Sequence, residues 1–133
     1  PENSGIYLPK EAEIVLQVHY HRTGKPEKDR TKLGLYFAKK PVEKPWTTLT
    51  VGGMSLFSAI PANKPDHVQK GSAWVTADAH IHSVMPHMHL LGKQITITMT
   101  PPGGETATLL EIKDWDYNWQ ESYWLAKPLF VKA

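Results

Sequence analysis

The sequence predicts an all-β protein, an antiparallel β-sandwich of the Greek-key or jelly-roll type. Three observations point to this fold. Apolar residues recur with a period of two in short runs along the chain. The 11 prolines and 9 glycines divide the chain into segments of strand length. No window of a dozen residues carries an apolar stripe with helical spacing and capping residues.

The first 60 residues contain four predicted strands separated by polar turns. The first strand has enough apolar residues to be buried on most of its length. Gly24, Pro26 and several charged residues predict a long turn after it. A polar connection broken by prolines covers residues 39–45. The predicted strands are residues 13–20, 33–37, 47–51 and 54–60.

The second half of the chain contains five more predicted strands. Two prolines and an asparagine in residues 61–65 mark a candidate boundary before them. The strands that flank Pro102-Gly103-Gly104 form the clearest hairpin, because glycines accept the positive φ of a tight turn. The predicted strands are residues 68–75, 79–85, 94–100, 106–112 and 123–131.

Composition excludes several classes of protein. A net charge of +2, scattered along 133 residues, does not indicate a nucleic-acid partner. The absence of cysteine excludes thiolate metal sites, disulfides and thiol catalysis. No apolar run approaches the roughly 20 residues that cross a membrane. Because the chain starts at Pro1 without a methionine and stops within a predicted strand, we expect it to be a piece of a longer protein.

The most informative motif is His87-Met88-His89, which is followed by Leu-Leu-Gly-Lys. In extended chain, residues two apart lie on the same side, roughly 6.5 Å apart along the backbone. Two imidazoles at this spacing can share one copper, zinc, nickel or iron ion. With seven histidines, chance gives about 0.4 His-x-His pairs, whereas the chain has three. The alternative is that both histidines are merely polar residues on an exposed strand.

Neighbouring residues support the metal interpretation. Pro86 interrupts the strand and directs the two rings, and Gly92 allows a close backbone turn. Met88 points to the opposite face, which favours a core position over a ligand position.

The other histidines leave alternatives open. His19 is either a hydrogen-bonded core residue or a ligand, and His21 is either a second ligand or an exposed ring. His80 and His82 fall on the face opposite His87 if the strand is straight, which favours structural or supporting roles. His67 is expected to be exposed.

The aromatic segment 114–123, Asp-Trp-Asp-Tyr-Asn-Trp-Gln-Glu-Ser-Tyr, has two interpretations. Aromatic residues at this density either line a groove for a sugar or another ligand, or plug the end of a β-sandwich. The plug is the more common case. No nucleophile elbow, phosphate-binding loop or pair of carboxylates supports hydrolysis or phosphoryl transfer.

Taken together, these motifs resemble a known family. The segments Leu16-Gln17-Val18-His19-Tyr20 and Gly34-Leu35-Tyr36-Phe37, with the His87-Met88-His89-Leu-Leu-Gly-Lys block, are similar to the copper type II, ascorbate-dependent monooxygenases. This is the family of peptidylglycine α-hydroxylating monooxygenase and dopamine β-monooxygenase. The Trp-Asp-Tyr-Asn-Trp-Gln stretch is closer to bacterial members. The order and spacing hold from about residue 12 to residue 123.

The resemblance implies two jelly-roll domains that each carry one copper. Residues 1–60 would be the end of the electron-transfer domain, and residues 61–133 the beginning of the oxygen-binding domain. His87 and His89 fall on ligands of the oxygen-binding copper, and His19 falls on a ligand of the other copper. The implied reaction hydroxylates a C–H bond of a small molecule or peptide with dioxygen, with ascorbate as reductant. An extracellular or periplasmic location is implied too.

The chain also departs from the family pattern. The family completes the oxygen-binding site with a methionine well downstream, and this chain ends before such a position. It completes the other site with an adjacent histidine pair upstream, and this sequence contains no adjacent histidine pair. We therefore expect this polypeptide alone to be inactive and assign no catalytic residue. The alternative is a non-catalytic copper-binding or interaction module. Incomplete domains would expose strand edges, which favours association with a second copy or with the rest of the parent protein.

Overall fold

Every regular element in the described part of the chain is a β-strand. The structure is a computed structural model, and it describes residues 3–52 and 59–133. It has six strands, which confirms the all-β prediction, and they pair two by two. The strands are β1 (Ser4–Gly5), β2 (Lys44–Pro45), β3 (Ala79–Val84), β4 (Ile95–Met99), β5 (Ala107–Ile112) and β6 (Tyr123–Val131).

The chain divides into two units, Pro1–Thr50 and Val51–Ala133. In the first unit, β1 and β2 pair in parallel over two residues. The pairing is extended by the carbonyl of Asn3, which accepts hydrogen bonds from the amides of Glu43 and Lys44 at 3.0 and 3.1 Å. The domain boundary expected after residue 60 stays a prediction.

In the second unit, β4 and β5 form the predicted hairpin. They are antiparallel, with Ile95 opposite Ile112 and Met99 opposite Ala107. Gly103 has a φ of 65°, the left-handed conformation for which a glycine is expected at the turn. One register shift follows Ile97, and half-buried and exposed residues alternate along β4 as a two-residue period requires.

The other antiparallel pair joins distant parts of this unit. β3 pairs with β6, with Ala79 opposite Val131 and Val84 opposite Tyr123. The register shifts between Ile81 and Ser83, where β6 contributes extra residues that include Pro128. A proline has no backbone N–H to donate, so a bulge is where a strand tolerates it.

Four predicted strands do not form in the described residues. Residues 13–20, 33–37, 47–51 and 68–75 are irregular. The reason is the absence of a pairing neighbour and of a covered face: Val15 is 86% exposed, Tyr36 101% and Trp74 89%. The predicted strand at 54–60 lies outside the described residues except for its last two, which are irregular.

The most buried side chains of the described residues lie in the second unit. Trp115 and Val131 are buried, and Pro86 is less than 2% exposed. Pro86 directly precedes the His-x-His motif, and Trp115 follows β5 by three residues. The described residues contain no helix long and apolar enough to cross a membrane.

Candidate metal centre

The two imidazoles of the His-x-His motif converge. The Nε2 atoms of His87 and His89 lie 3.3 Å apart, and the ring centroids lie 5.1 Å apart. The ring planes are almost perpendicular, at 89°. Both side chains are exposed. The sequence predicts this approach for an extended strand; the two rings converge although the segment is not part of a regular strand.

The backbone on both sides of the motif fixes its position. β3 ends at Val84, and the fully buried ring of Pro86 lies two residues further on, in the irregular segment. After the motif, the amide of Gly92 donates to the carbonyl of His89 at 2.9 Å and closes a four-residue turn. The motif is therefore held between a buried proline and a hydrogen-bonded turn.

Gly92 is closely packed against Met88 and Trp115. A Cβ atom at this position would lie 2.9 Å from Cβ of Met88 and 3.0 Å from Cδ1 of Trp115. The amide of Trp115 also donates to the carbonyl of Lys93 at 2.9 Å. Met88 is half-buried, and the prediction that it is a core residue rather than a ligand stays a prediction. The contact between Gly92 and Trp115 had no signal in the sequence, because 22 residues separate them.

The distance between the nitrogens fits a shared metal ion. An ion about 2.0–2.1 Å from both Nε2 atoms would subtend an angle of roughly 107°, which is close to tetrahedral. The same 3.3 Å is long for a hydrogen bond, since N–H bonds to oxygen cluster at about 2.9–3.0 Å. The pair thus fits two adjacent corners of a coordination sphere.

The remaining corners are not filled by the described residues. Within residues 3–52 and 59–133, no group of three or more histidine, cysteine, aspartate or glutamate side chains is placed to hold a metal. In the same residues, neither the imidazole of His87 nor that of His89 has a hydrogen-bond partner besides the other ring. The exposed pair is therefore open to a third ligand from solvent, from a substrate or from further protein.

The other predicted ligand, His19, belongs to the first unit. It is exposed, as is His21. No hydrogen bond or ring contact joins His19 to His21 in the described part of the chain. Of the two alternatives for His19, the buried core residue is not observed, because its segment forms no strand and the side chain is exposed; its role as a ligand stays a prediction.

The two histidines of β3, His80 and His82, lie within the β3–β6 pair. The ring of His80 packs against Phe130 on β6, with centroids 5.2 Å apart and planes inclined at 54°. His82 is half-buried at the register shift, and His67 is exposed as expected. The prediction that His80 and His82 lie on the face opposite His87 assumes one straight strand. Because β3 ends at Val84, the alternation of faces along the strand does not reach His87.

Comparisons with known proteins give no relative. Neither the models of protein families nor the curated proteins match the sequence, and no solved structure matches the fold.

Proposed function

We propose that His87 and His89 form a copper-binding element, and that the chain is part of a copper-dependent monooxygenase. The observation that supports the metal site is the 3.3 Å separation of the two Nε2 atoms, which suits two ligands of one ion. Imidazole is a good ligand for copper, and Cu²⁺ binds such sites more tightly than the other divalent ions of its row.

The residues around the motif have positioning roles in this proposal. His87 and His89 hold the ion, while Pro86 and the packed side chain of Met88 hold the backbone between the two rings. Copper bound there would supply dioxygen activation for hydroxylation of a C–H bond, with ascorbate as the electron source. The exposure of both rings leaves room for a substrate, a small molecule or a peptide, to approach.

The proposal extends to the rest of the chain. His19 would ligate the second, electron-transfer copper together with histidines not present in this sequence. The antiparallel β3–β6 and β4–β5 pairs would be parts of a jelly-roll sandwich, which the alternating exposure along β4 supports. An extracellular or periplasmic location belongs to the same hypothesis.

The metal site is tested by copper titration of the 133-residue chain. We expect the EPR spectrum of bound Cu²⁺ to show nitrogen ligands. We also expect His87→Ala and His89→Ala each to weaken copper binding at least about tenfold, because even the loss of a group that only supports a metal ligand typically weakens binding about 10–100-fold. His67→Ala is the matched control, because it removes another exposed histidine of the same unit. Equal affinities in wild type and His87→Ala would contradict the proposed site.

The enzymatic part needs a separate measurement. With copper and ascorbate present, a monooxygenase couples oxygen uptake to hydroxylation of a substrate, measured as incorporation of one ¹⁸O atom into the product. This assay is run on the chain and on the longer protein that contains it. Copper binding without coupled hydroxylation in either sample would favour a non-catalytic copper-binding module.

A further inference from the structure

The segment between β5 and β6 forms a small cavity that the copper proposal does not use. Its volume is about 180 Å³, less than the ~300–1,000 Å³ of pockets for drug-sized ligands. It is therefore large enough only for a small ligand or for one small chemical group of a larger ligand. Three aromatic residues, two carboxylates and one aliphatic side chain line it: Trp115, Trp119, Tyr123, Asp114, Asp116 and Ile112.

Local hydrogen bonds shape the cavity. Oδ1 of Asp116 accepts from the backbone amide of Asn118 at 2.8 Å and from its side-chain amide at 3.1 Å. The amide of Trp119 donates to the carbonyl of Asp116 at 3.0 Å. The side-chain amide of Gln120 donates to the carbonyl of Tyr117 at 2.8 Å. These bonds hold Trp119 in a defined position although 63% of its surface is exposed.

The cavity lining is negative. It contains two carboxylates and no basic side chain. The neighbouring Lys113 lies 3.5 Å from Glu111, so its ammonium is paired away from the two aspartates. The carboxylate of Asp114 has no hydrogen bond or ion pair in the described residues, and the hydrogen bonds to the carboxylate of Asp116 use only its Oδ1.

We propose that this cavity binds an organic ammonium ion, such as a quaternary or N-methylated amine. The negative face of an aromatic ring attracts a cation, and tryptophan does so most strongly. The two carboxylates add attraction to the same charge. The charge of the two carboxylates attracts a cation but gives no such advantage to a neutral sugar, so the lining favours a cation over a sugar.

Tetramethylammonium is the probe that tests this proposal on the metal-free 133-residue chain. We expect saturable binding, followed by calorimetry and by the shift of the Trp119 indole resonance in NMR spectra. Trp119→Ala should weaken binding about two- to fivefold, the range of a cation–π contact at an exposed site. Asp114→Asn should also weaken it, because one of the two carboxylates loses its charge.

Matched variants control for general effects of each substitution. Trp74→Ala removes another exposed tryptophan that does not line the cavity, and Asp66→Asn removes another exposed carboxylate. Both should bind like wild type. The proposal is overturned if wild type shows no saturation, if Trp74→Ala weakens binding as much as Trp119→Ala, or if glucose binds and tetramethylammonium does not.

Discussion

Two segments of this chain combine a β-rich run with a His-x-His motif, and they differ in outcome. Residues 79–89 form strand β3 and then bring the Nε2 atoms of His87 and His89 within 3.3 Å. Residues 13–21 have a similar pattern but stay irregular, and no contact joins their two histidines in the described part of the chain. The first segment has a pairing partner, β6, and a packed neighbour, Trp115. The comparison shows that the His-x-His spacing allows two imidazoles to approach each other, but that tertiary contacts decide whether they do.

Among the substitutions that test this comparison, we expect the largest effect from the removal of the Trp115 side chain. We expect Trp115→Ala to lower the free energy of unfolding by about 3–5 kcal/mol, because a large buried side chain leaves a cavity. Copper affinity of the chain should fall with it, since the backbone of the motif loses its anchor. Trp74→Ala, at an 89% exposed position, should stay within about 0.5 kcal/mol of wild type in urea denaturation. Similar losses for both variants would contradict the assignment of Trp115 as the anchor.

A milder change tests the contact at Gly92. Its Cβ would lie 2.9 Å from Cβ of Met88, so Gly92→Ala forces Met88 or Trp115 to shift. We expect a loss of about 1–3 kcal/mol in unfolding free energy, as for other overpacked sites. EPR of bound Cu²⁺ should also change.

Gly34→Ala is the control for this variant. The nearest atom to its Cβ would be Cε2 of Tyr36 at 3.9 Å, an ordinary contact. We expect no loss of stability there. If Gly92→Ala is as stable as wild type and its copper EPR spectrum is unchanged, close packing at Gly92 does not position the histidine motif.

The smallest expected effect concerns the irregular segment itself, where polar contacts connect residues 20–31. Asp29 accepts hydrogen bonds from Thr31 at 2.6 Å and from Tyr20 at 2.7 Å. The bond from Thr31, followed by that from Tyr20, lowers the pKa of Asp29. The bond to Asp29 raises the pKa of Tyr20 above 10.0.

The two shifts predict opposite losses with pH. The Asp29 contribution to stability is present above the carboxyl's unfolded pKa and is lost as pH falls through its lowered pKa. The Tyr20 contribution is present below the phenol's unfolded pKa and is lost as pH rises through its raised pKa. NMR titration of wild type and Asp29→Asn measures both. If the Tyr20 titration is the same in Asp29→Asn as in wild type, the contact does not persist in solution.

The success of sequence-based prediction follows the range of the contacts involved. The β4–β5 hairpin was predictable because its alternation and its glycine turn are local signals. Strand β6 was predicted to its exact limits, Tyr123–Val131, although its pairing with β3 was not. The predicted strands at 13–20 and 33–37 failed because β-propensity describes how a residue fits a half-buried surface, and no such surface covers them.

The sequence by itself determined the all-β class and the β4–β5 hairpin, because two-residue alternation and turn chemistry act over a few residues. Only the tertiary structure decided which strand candidates form and which His-x-His pair is anchored. It also gathered two aspartates and three aromatic side chains around one cavity. These outcomes depend on contacts between residues far apart in the chain, such as Gly92 with Trp115 and Ala79 with Val131. A segment becomes ordered only where contacts with another part of the chain offset the conformational entropy that it loses.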